Sequence, residues 1–295
     1  MPNAILHIGT EKTGTSALQS YLSQSRPEFR KRGFVFSKVA GKRSHHKLFW
    51  YATQDRRVEG LKGVNGIYTV DDLKAFREEF RRDLAAEADA CPNATFIFSN
   101  EHCHSRLIRD AQVEMIRDLL APIFDDIRIS VYIRRQDELV VSRYSTALKA
   151  GSTRSEIIQP QDHKSAYCDY WGLLSRWAKV FGEDKMLMGV YSKAELKDGS
   201  IVADFCARTG VPELPYIVKP ANESLSLLHQ EFLRQMNRRL SKKDDQARRI
   251  ERLELVNHFR VRGAGRGKLP SRAEAEALCA SYAESNERVE TFPPS

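Results

Sequence analysis

Ile5-Leu6-His7-Ile8-Gly9-Thr10-Glu11-Lys12-Thr13-Gly14-Thr15-Ser16-Ala17-Leu18 reads as an apolar strand that passes through a tight, hydroxyl-rich turn into a helix. The first turn of a helix carries N–H groups without partners inside the helix, and it lies at the positive end of the macrodipole. A junction of this kind is therefore suited to hold an anion such as phosphate. Gly9 and Gly14 let the backbone wrap the anion with no Cβ in the way. Thr13, Thr15 and Ser16 offer hydroxyls and Lys12 a full charge. Gly9, Thr10, Lys12, Thr13, Gly14, Thr15 and Ser16 are the expected ligands.

The spacing approaches the nucleotide-triphosphate loop GxxxxGK[ST] with one departure. Thr15 follows the second glycine, and the lysine stands two residues before that glycine. The loop is thus expected to hold an anion other than the β- and γ-phosphates of ATP. Lys12-Thr13-Gly14-Thr15-Ser16 resembles the 5′-phosphosulfate loop of sulfotransferases that use 3′-phosphoadenosine 5′-phosphosulfate (PAPS). Many members have proline before the lysine, where this chain has Glu11; the exchange removes no ligand.

A second segment points the same way. Ile129-Ser130-Val131-Tyr132-Ile133 reads as a buried parallel strand. Arg134-Arg135 follows, then Asp137-Glu138 opens a helix, and Ser142 lies eight residues after Arg134. The family has a 3′-phosphate motif of this shape. Arg134 offers a planar, permanently charged fork for a terminal phosphate, and Ser142 a neutral hydroxyl from the helix. The resemblance implies a P-loop-type three-layer α/β sandwich, with a mainly parallel sheet of about five strands flanked by helices.

The catalytic candidates follow from a third strand, Thr95-Phe96-Ile97-Phe98-Ser99, which ends in Asn100-Glu101-His102-Cys103-His104. Parallel sheets place ligands beyond the carboxyl ends of their strands. Sulfuryl transfer to a hydroxyl or amine needs a base to take the proton, an effect of ~10²–10⁴-fold. In members that act on sugars a Glu or His fills that role, and the Ser-x-Glu-His segment resembles theirs. Glu101 is the expected base, with His102 the alternative and His104 structural. Lys12 is expected to stabilise negative charge on the leaving phosphate. In similar proteins a histidine in the region of His46 lies near the acceptor, so His46 is an expected acceptor contact, in a segment (residues 38–70) expected to wall the acceptor site.

Strands are expected at Ala4–Ile8, Gly33–Phe36, Thr95–Ser99, Arg128–Ile133 and Met186–Tyr191. Helices are expected at Gly14–Ser25, Asp71–Ala88, Asp110–Leu120, Asp137–Lys149, Tyr167–Phe181, Ser200–Thr209, Leu225–Leu240 and Ser271–Arg288. The last opens with a capping box, Ser271 with Glu274, and carries an inward stripe of Ala275, Leu278, Cys279 and Tyr282. Trp171, Leu174 and Trp177 repeat at helical spacing and read as core. The mixed-charge run from Arg238 to Glu254 reads as a solvated helix face. The whole chain is expected to form one sulfotransferase-like α/β domain, residues 1–295, with a helical C-terminal part from about 222. Asn222-Glu223-Ser224-Leu225-Ser226 resembles a segment of bacterial members. Arg260–Lys268 is Gly-rich and cationic; such loops close over the 3′-phosphate and adenosine in the family, which implies Arg262, Arg266 and Lys268 as ligands.

A net charge of +8 over 295 residues suits polyanionic ligands without choosing between a nucleotide, an acidic saccharide and nucleic acid. No apolar run approaches the ~20 residues of a membrane span. Five scattered cysteines without a CxxC pair suggest reduced thiols, and with no leader pattern at the N-terminus the expected location is cytoplasmic, as in a bacterial member. No metal set stands out: His45-His46 is adjacent in sequence, and adjacent residues rarely chelate together. A PAPS-dependent sulfotransferase acting on a carbohydrate or similar small acceptor, with 3′-phosphoadenosine 5′-phosphate as product, leads this reading. A nucleotide-dependent kinase would need Mg²⁺ and a lysine directly after the second glycine. A basic nucleic-acid-binding module would more naturally interleave aromatics with its basic residues. Nothing in the sequence sets the oligomeric state.

Overall fold

Five apolar, β-branched runs become five strands: β1 Asn3–His7, β2 Phe34–Phe36, β3 Thr95–Ser99, β4 Ile127–Ile133 and β5 Met186–Val190. The helices are α1 Thr15–Gln24, α2 Arg26–Lys31, α3 His46–Tyr51, α4 Val70–Asp89, α5 His102–Arg106, α6 Asp110–Leu120 and α7 Gln136–Lys149. There follow α8 Tyr170–Phe181, α9 Ile201–Thr209, α10 Leu227–Leu240, α11 Asp245–Arg262, α12 Arg272–Ala280 and α13 Ala283–Glu290. The computed structural model describes residues 1–64, 66–217, 225–240, 245–262 and 265–292, with the side chains of 240, 245–249 and 260–262 left outside the description. Asn222, Glu223 and Ser224 lie outside the described residues, and so does the side chain of Arg262.

Contacts group the chain into two compact units, Met1–Arg134 with Asp169–Val218 and Ser285–Ser295, and Arg135–Cys168 with Lys219–Glu284. The first unit contains the whole sheet. Its order is β2-β3-β1-β4-β5, and every pairing is parallel. Flanked by helices, it is the expected P-loop-like α/β arrangement. β1 sits in the middle, with Leu6 opposite Phe98 on one side and Ile129 on the other. From β1 the chain first runs outward to β2 and later returns to place β3 and β4 on either flank of β1. The topological switch point therefore falls at the carboxyl end of β1, where such sheets bind ligands.

Side-chain alternation builds the two faces. Ile5, Ile97 and Tyr132 pack on Leu18, Tyr21 and Leu22 of α1 and on Val202 and Phe205 of α9. Phe96 and Phe98 point the other way and meet the ring of Phe124, just after α6. Helix α8 packs against α6, β4 and β5, with Leu174 and Trp177 fully buried as expected and Trp171 half-buried under Arg288.

The second unit is helical. Helices α10, α11 and α12 pack on α7. Asn237 of α10 is buried, and its amide donates to the carbonyls of Leu148 and Ser152, both at 2.9 Å, while its oxygen accepts from Arg252 at 3.0 Å. The capping box forms as read: Glu274 N–H donates to Ser271 Oγ at 3.2 Å, and Ser271 N–H to Glu274 Oε2 at 2.7 Å. The single helix expected at Ser271–Arg288 is two, α12 and α13. The chain turns at Ser281-Tyr282, where the buried Tyr282 hydroxyl accepts from Ser165 N–H at 2.8 Å.

Candidate active site

Beyond their last paired residues, the three central strands stay knitted together. Tyr132 N–H donates to the Gly9 carbonyl at 2.7 Å, Thr10 N–H to the Tyr132 carbonyl at 2.9 Å, and Asn100 N–H to the His7 carbonyl at 2.9 Å. The loop Gly9–Gly14 thus starts from a fixed edge. Gly9 has φ +104, and a Cβ there would lie 3.1 Å from Glu101 Cα, so the end of β3 packs directly on the loop. Gly14, φ +77, caps α1 without a side-chain acceptor, and its missing Cβ makes room for the Tyr191 ring. No cap side chain competes for the first-turn N–H groups of α1, which is what an anion site requires.

The loop's hydroxyls do something other than the sequence suggested. Thr13 Oγ1 donates to the Thr10 carbonyl at 2.7 Å, Thr15 Oγ1 to the same carbonyl at 3.2 Å, and Thr10 Oγ1 to the Tyr132 carbonyl at 3.0 Å. All three threonines are buried and brace the turn, while Ser16 is exposed at the helix start. Those protons go to carbonyls of the loop and of β4.

Lys12 is half-buried and adopts φ +68, the left-handed region where only a fixed surrounding holds a non-glycine residue. Burial pushes its ammonium below the ordinary lysine range, Glu11 and Glu101 pull it back up, and Arg134 pushes it further down. Arg134, at the end of β4, donates from Nη1 to the Lys12 carbonyl at 3.1 Å and lies 5.5 Å from the Tyr191 ring centroid. The fold therefore brings the two expected phosphate cations to one loop. Ser142, on α7, belongs to the second unit.

On the other flank of the loop stands the segment after β3. Glu101 is half-buried, and Gln19 Nε2 of α1 donates to its Oε2 at 2.8 Å. His102, the first residue of α5, has Nδ1 3.2 Å from Glu11 Oε1, and its N–H donates to Asn100 Oδ1 at 2.8 Å. Asn100 Nδ2 lies 3.1 Å from His46 Nδ1. The His46 and His102 rings stack at 5.2 Å, and the edge of Phe49 meets His102 at 5.1 Å. Burial first, and His102 second, lower the His46 pKa and favour its neutral ring. His104 is buried, and its Nδ1 accepts from Glu11 N–H at 3.4 Å.

Glu11, Gln19, Asn100 and Tyr191 take part in this cluster although the sequence reading assigned them no role. Their partners His102, Glu101, His46 and Arg134 lie between 54 and 91 residues away, and only strand order brings them together. His45, half of the adjacent histidine pair, is buried against Phe36 and accepts from Ser99 N–H through Nδ1 at 3.2 Å. Among the described residues, no group of three or more His, Cys, Asp or Glu side chains gathers to hold a metal ion, and no helix is long and apolar enough to cross a membrane.

The cationic loop near residue 266 has local partners in the second unit. Lys268 Nζ donates to the Ser155 carbonyl at 2.8 Å, its N–H to Gln230 Oε1 at 2.9 Å, and the Arg266 carbonyl accepts from Leu227 N–H at 3.1 Å. A Cβ on Gly267 would lie 2.2 Å from Gln230 Nε2, so this glycine serves packing against α10.

No protein-family profile matches the chain. An uncharacterized protein of Archaeoglobus fulgidus is 32% identical over 123 residues, 40% of this chain and 33% of that protein, so the match spans a third of the relative's length. Among solved structures, a sulfotransferase from Alicyclobacillus acidocaldarius aligns over 89% of this chain and 96% of its own, with a TM-score of 0.44 and 16% identity. The sulfotransferase domain of the Synechococcus PCC 7002 olefin synthase aligns over 88% and 94%, with a TM-score of 0.43 and 14% identity. The sulfotransferase domain of the curacin biosynthetic pathway aligns over 96% and 98%, with a TM-score of 0.41 and 10% identity.

Proposed function

We propose that the chain transfers a sulfuryl group from PAPS to a hydroxyl or amine of a small acceptor, with a carbohydrate or similar metabolite as the acceptor class. One observation carries the reading: Arg134, 122 residues from Lys12 in sequence, closes onto the Lys12 carbonyl. Two cations thus share one anion loop at the switch point of the sheet, as a donor with phosphate groups at both ends requires. The lysine also precedes the second glycine, where a loop for ATP-Mg²⁺ would have it follow.

The donor supplies the activated sulfuryl group and the leaving 5′-phosphate. Loop N–H groups and Lys12 hold that phosphate and stabilise the charge that grows on it as the S–O bond breaks. Arg134 holds the loop and takes the terminal phosphate through its guanidinium fork. The segment after β3, Glu101 and His102, receives the acceptor's proton, and His46 with Phe49 and Trp50 on α3 walls the acceptor. Ser142, Arg262, Arg266 and Lys268 remain nucleotide-ligand candidates on the sequence pattern alone.

Calorimetric titration tests this reading. The bisphosphate product should bind without Mg²⁺, and Lys12→Ala and Arg134→Ala should each weaken it at least tenfold, as loss of a charge-assisted contact of ~1.5–3 kcal/mol implies. Binding of ATP-Mg²⁺ in its place would assign the loop to a kinase.

A further inference from the structure

We propose that Glu11 is a positioning residue, whose carboxylate orients His102 so that His102 Nε2, and not Glu101, takes the proton from the acceptor. The inference rests on the sulfuryl-transfer reading for its chemistry and on the loop geometry for its residues.

An ionised carboxylate only accepts hydrogen bonds, so His102 Nδ1, 3.2 Å from Glu11 Oε1, carries the proton of that contact. The Nε2 lone pair is then the basic position of the ring. Glu11 is itself anchored, because its own N–H reaches His104 Nδ1 at 3.4 Å on the same short helix. Backbone and side chain of one loop residue thus hold two histidines of α5.

Asn100 fixes the second ring. Its Oδ1 accepts from His102 N–H at 2.8 Å, which leaves its amide group to donate to His46 Nδ1 at 3.1 Å. His46 therefore carries its proton on Nε2 and acts as a donor. The two stacked rings, 5.2 Å apart at 26°, have opposite tautomers, one to accept a proton and one to give a hydrogen bond. Glu101 is held differently, its Oε2 accepting from the Gln19 amide at 2.8 Å.

In the step itself the acceptor O–H bond breaks and its proton moves to His102 Nε2. The acceptor oxygen bonds to sulfur, and the electron pair of the old S–O bond leaves with the 5′-phosphate. Glu11 faces the imidazolium that forms and stabilises it, the role a carboxylate plays behind a catalytic histidine. Because Glu11 is the residue before Lys12, the group that positions the base and the group that stabilises the leaving charge move as one loop.

The test combines nitrogen NMR of histidine-labelled protein, without ligand, with steady-state kinetics. Wild type should show His102 as the Nδ1–H tautomer, and Glu11→Gln should lose that signature. The same variant should lower kcat by roughly 10²-fold, within the range for a positioned base, and leave bisphosphate affinity within twofold. Glu11→Asp should recover part of both, and it carries the same two readouts if the glutamine variant fails to fold. An Nε2–H tautomer in wild type, or a kcat within twofold in Glu11→Gln, overturns the proposal. Wild type that binds no bisphosphate and transfers no sulfuryl group would sink the underlying reaction instead, while the tautomer still decides whether Glu11 orients His102.

Discussion

Arg134 Nη1 donates to the carbonyl oxygen of Lys12 at 3.1 Å, which staples the end of β4 to the loop that follows β1. The guanidinium is thus asked to do two things, to shape the loop and to meet a phosphate. Arg134→Lys keeps a charge but loses the planar fork that allows both. Titration of this variant with the bisphosphate should show an affinity at least tenfold below wild type. A drop of less than threefold would mean that charge alone suffices at this position.

Acid should weaken the fold through two buried histidines. His7 and His45 are fully buried, and burial holds both pKa values down at about 3 against an unfolded value near 6.5. Each stays neutral in the folded protein and takes up a proton on unfolding below pH 6.5. Stability is therefore fully present above pH 6.5 and is lost as pH falls toward 3, with a slope of up to ~2.7 kcal/mol per pH unit for the pair. Urea unfolding at pH 7.5, 6.5, 5.5 and 4.5 reads that slope; a flat profile below 6.5 would mean that the rings titrate in the folded state.

Two glycines with positive φ separate close approach from turn geometry. A Cβ on Gly9 would sit 3.1 Å from Glu101 Cα, whereas one on Gly33 would meet nothing within 4 Å. Gly33→Ala should cost only backbone strain, about 1 kcal/mol. Gly9→Ala adds a push on the end of β3 and should cost more, roughly 2–3 kcal/mol, with loss of transfer activity. Equal losses in denaturant melts would rule out the close packing as the reason for Gly9.

On the acceptor side, His46→Ala removes the ring that stacks on His102 and takes the Asn100 amide. The acceptor KM should rise roughly fivefold, the worth of one hydrogen bond of ~1 kcal/mol, with bisphosphate affinity unchanged. An unchanged KM would take His46 out of the acceptor wall.

The strands were legible because a buried parallel strand is a short apolar run between breakers: each expected strand lies within a residue of the observed one at both ends. Helices α2, α3 and α5 escaped, being five or six residues long and held by what they pack on more than by their own pattern. The charge-dense run to Glu254 falls mostly in α11, whose 18 residues were foreseen only as a helical face. Within the candidate site the motif spacing singled out Lys12 and Arg134, which the structure joins by a hydrogen bond. Glu11 read as a neutral exchange for proline, because no local pattern couples it to a histidine 91 residues on. The loop threonines read as anion ligands because composition shows which hydroxyls exist, while their acceptors depend on how the turn closes.

The first unit is assembled from three stretches of chain, the last beginning at Ser285. Ser285 Oγ donates to Asp169 Oδ1 at 2.7 Å and accepts from Trp171 N–H at 3.1 Å, and the Phe292 ring meets Trp171. Ser285 follows all five strands in the chain, so these contacts form only after β1–β5 have been made. The anion loop after β1 is therefore made well before the segment that completes the unit carrying it. A nascent chain that stalls before Ser285 would therefore expose the α8 face that Phe292 and Arg288 otherwise cover.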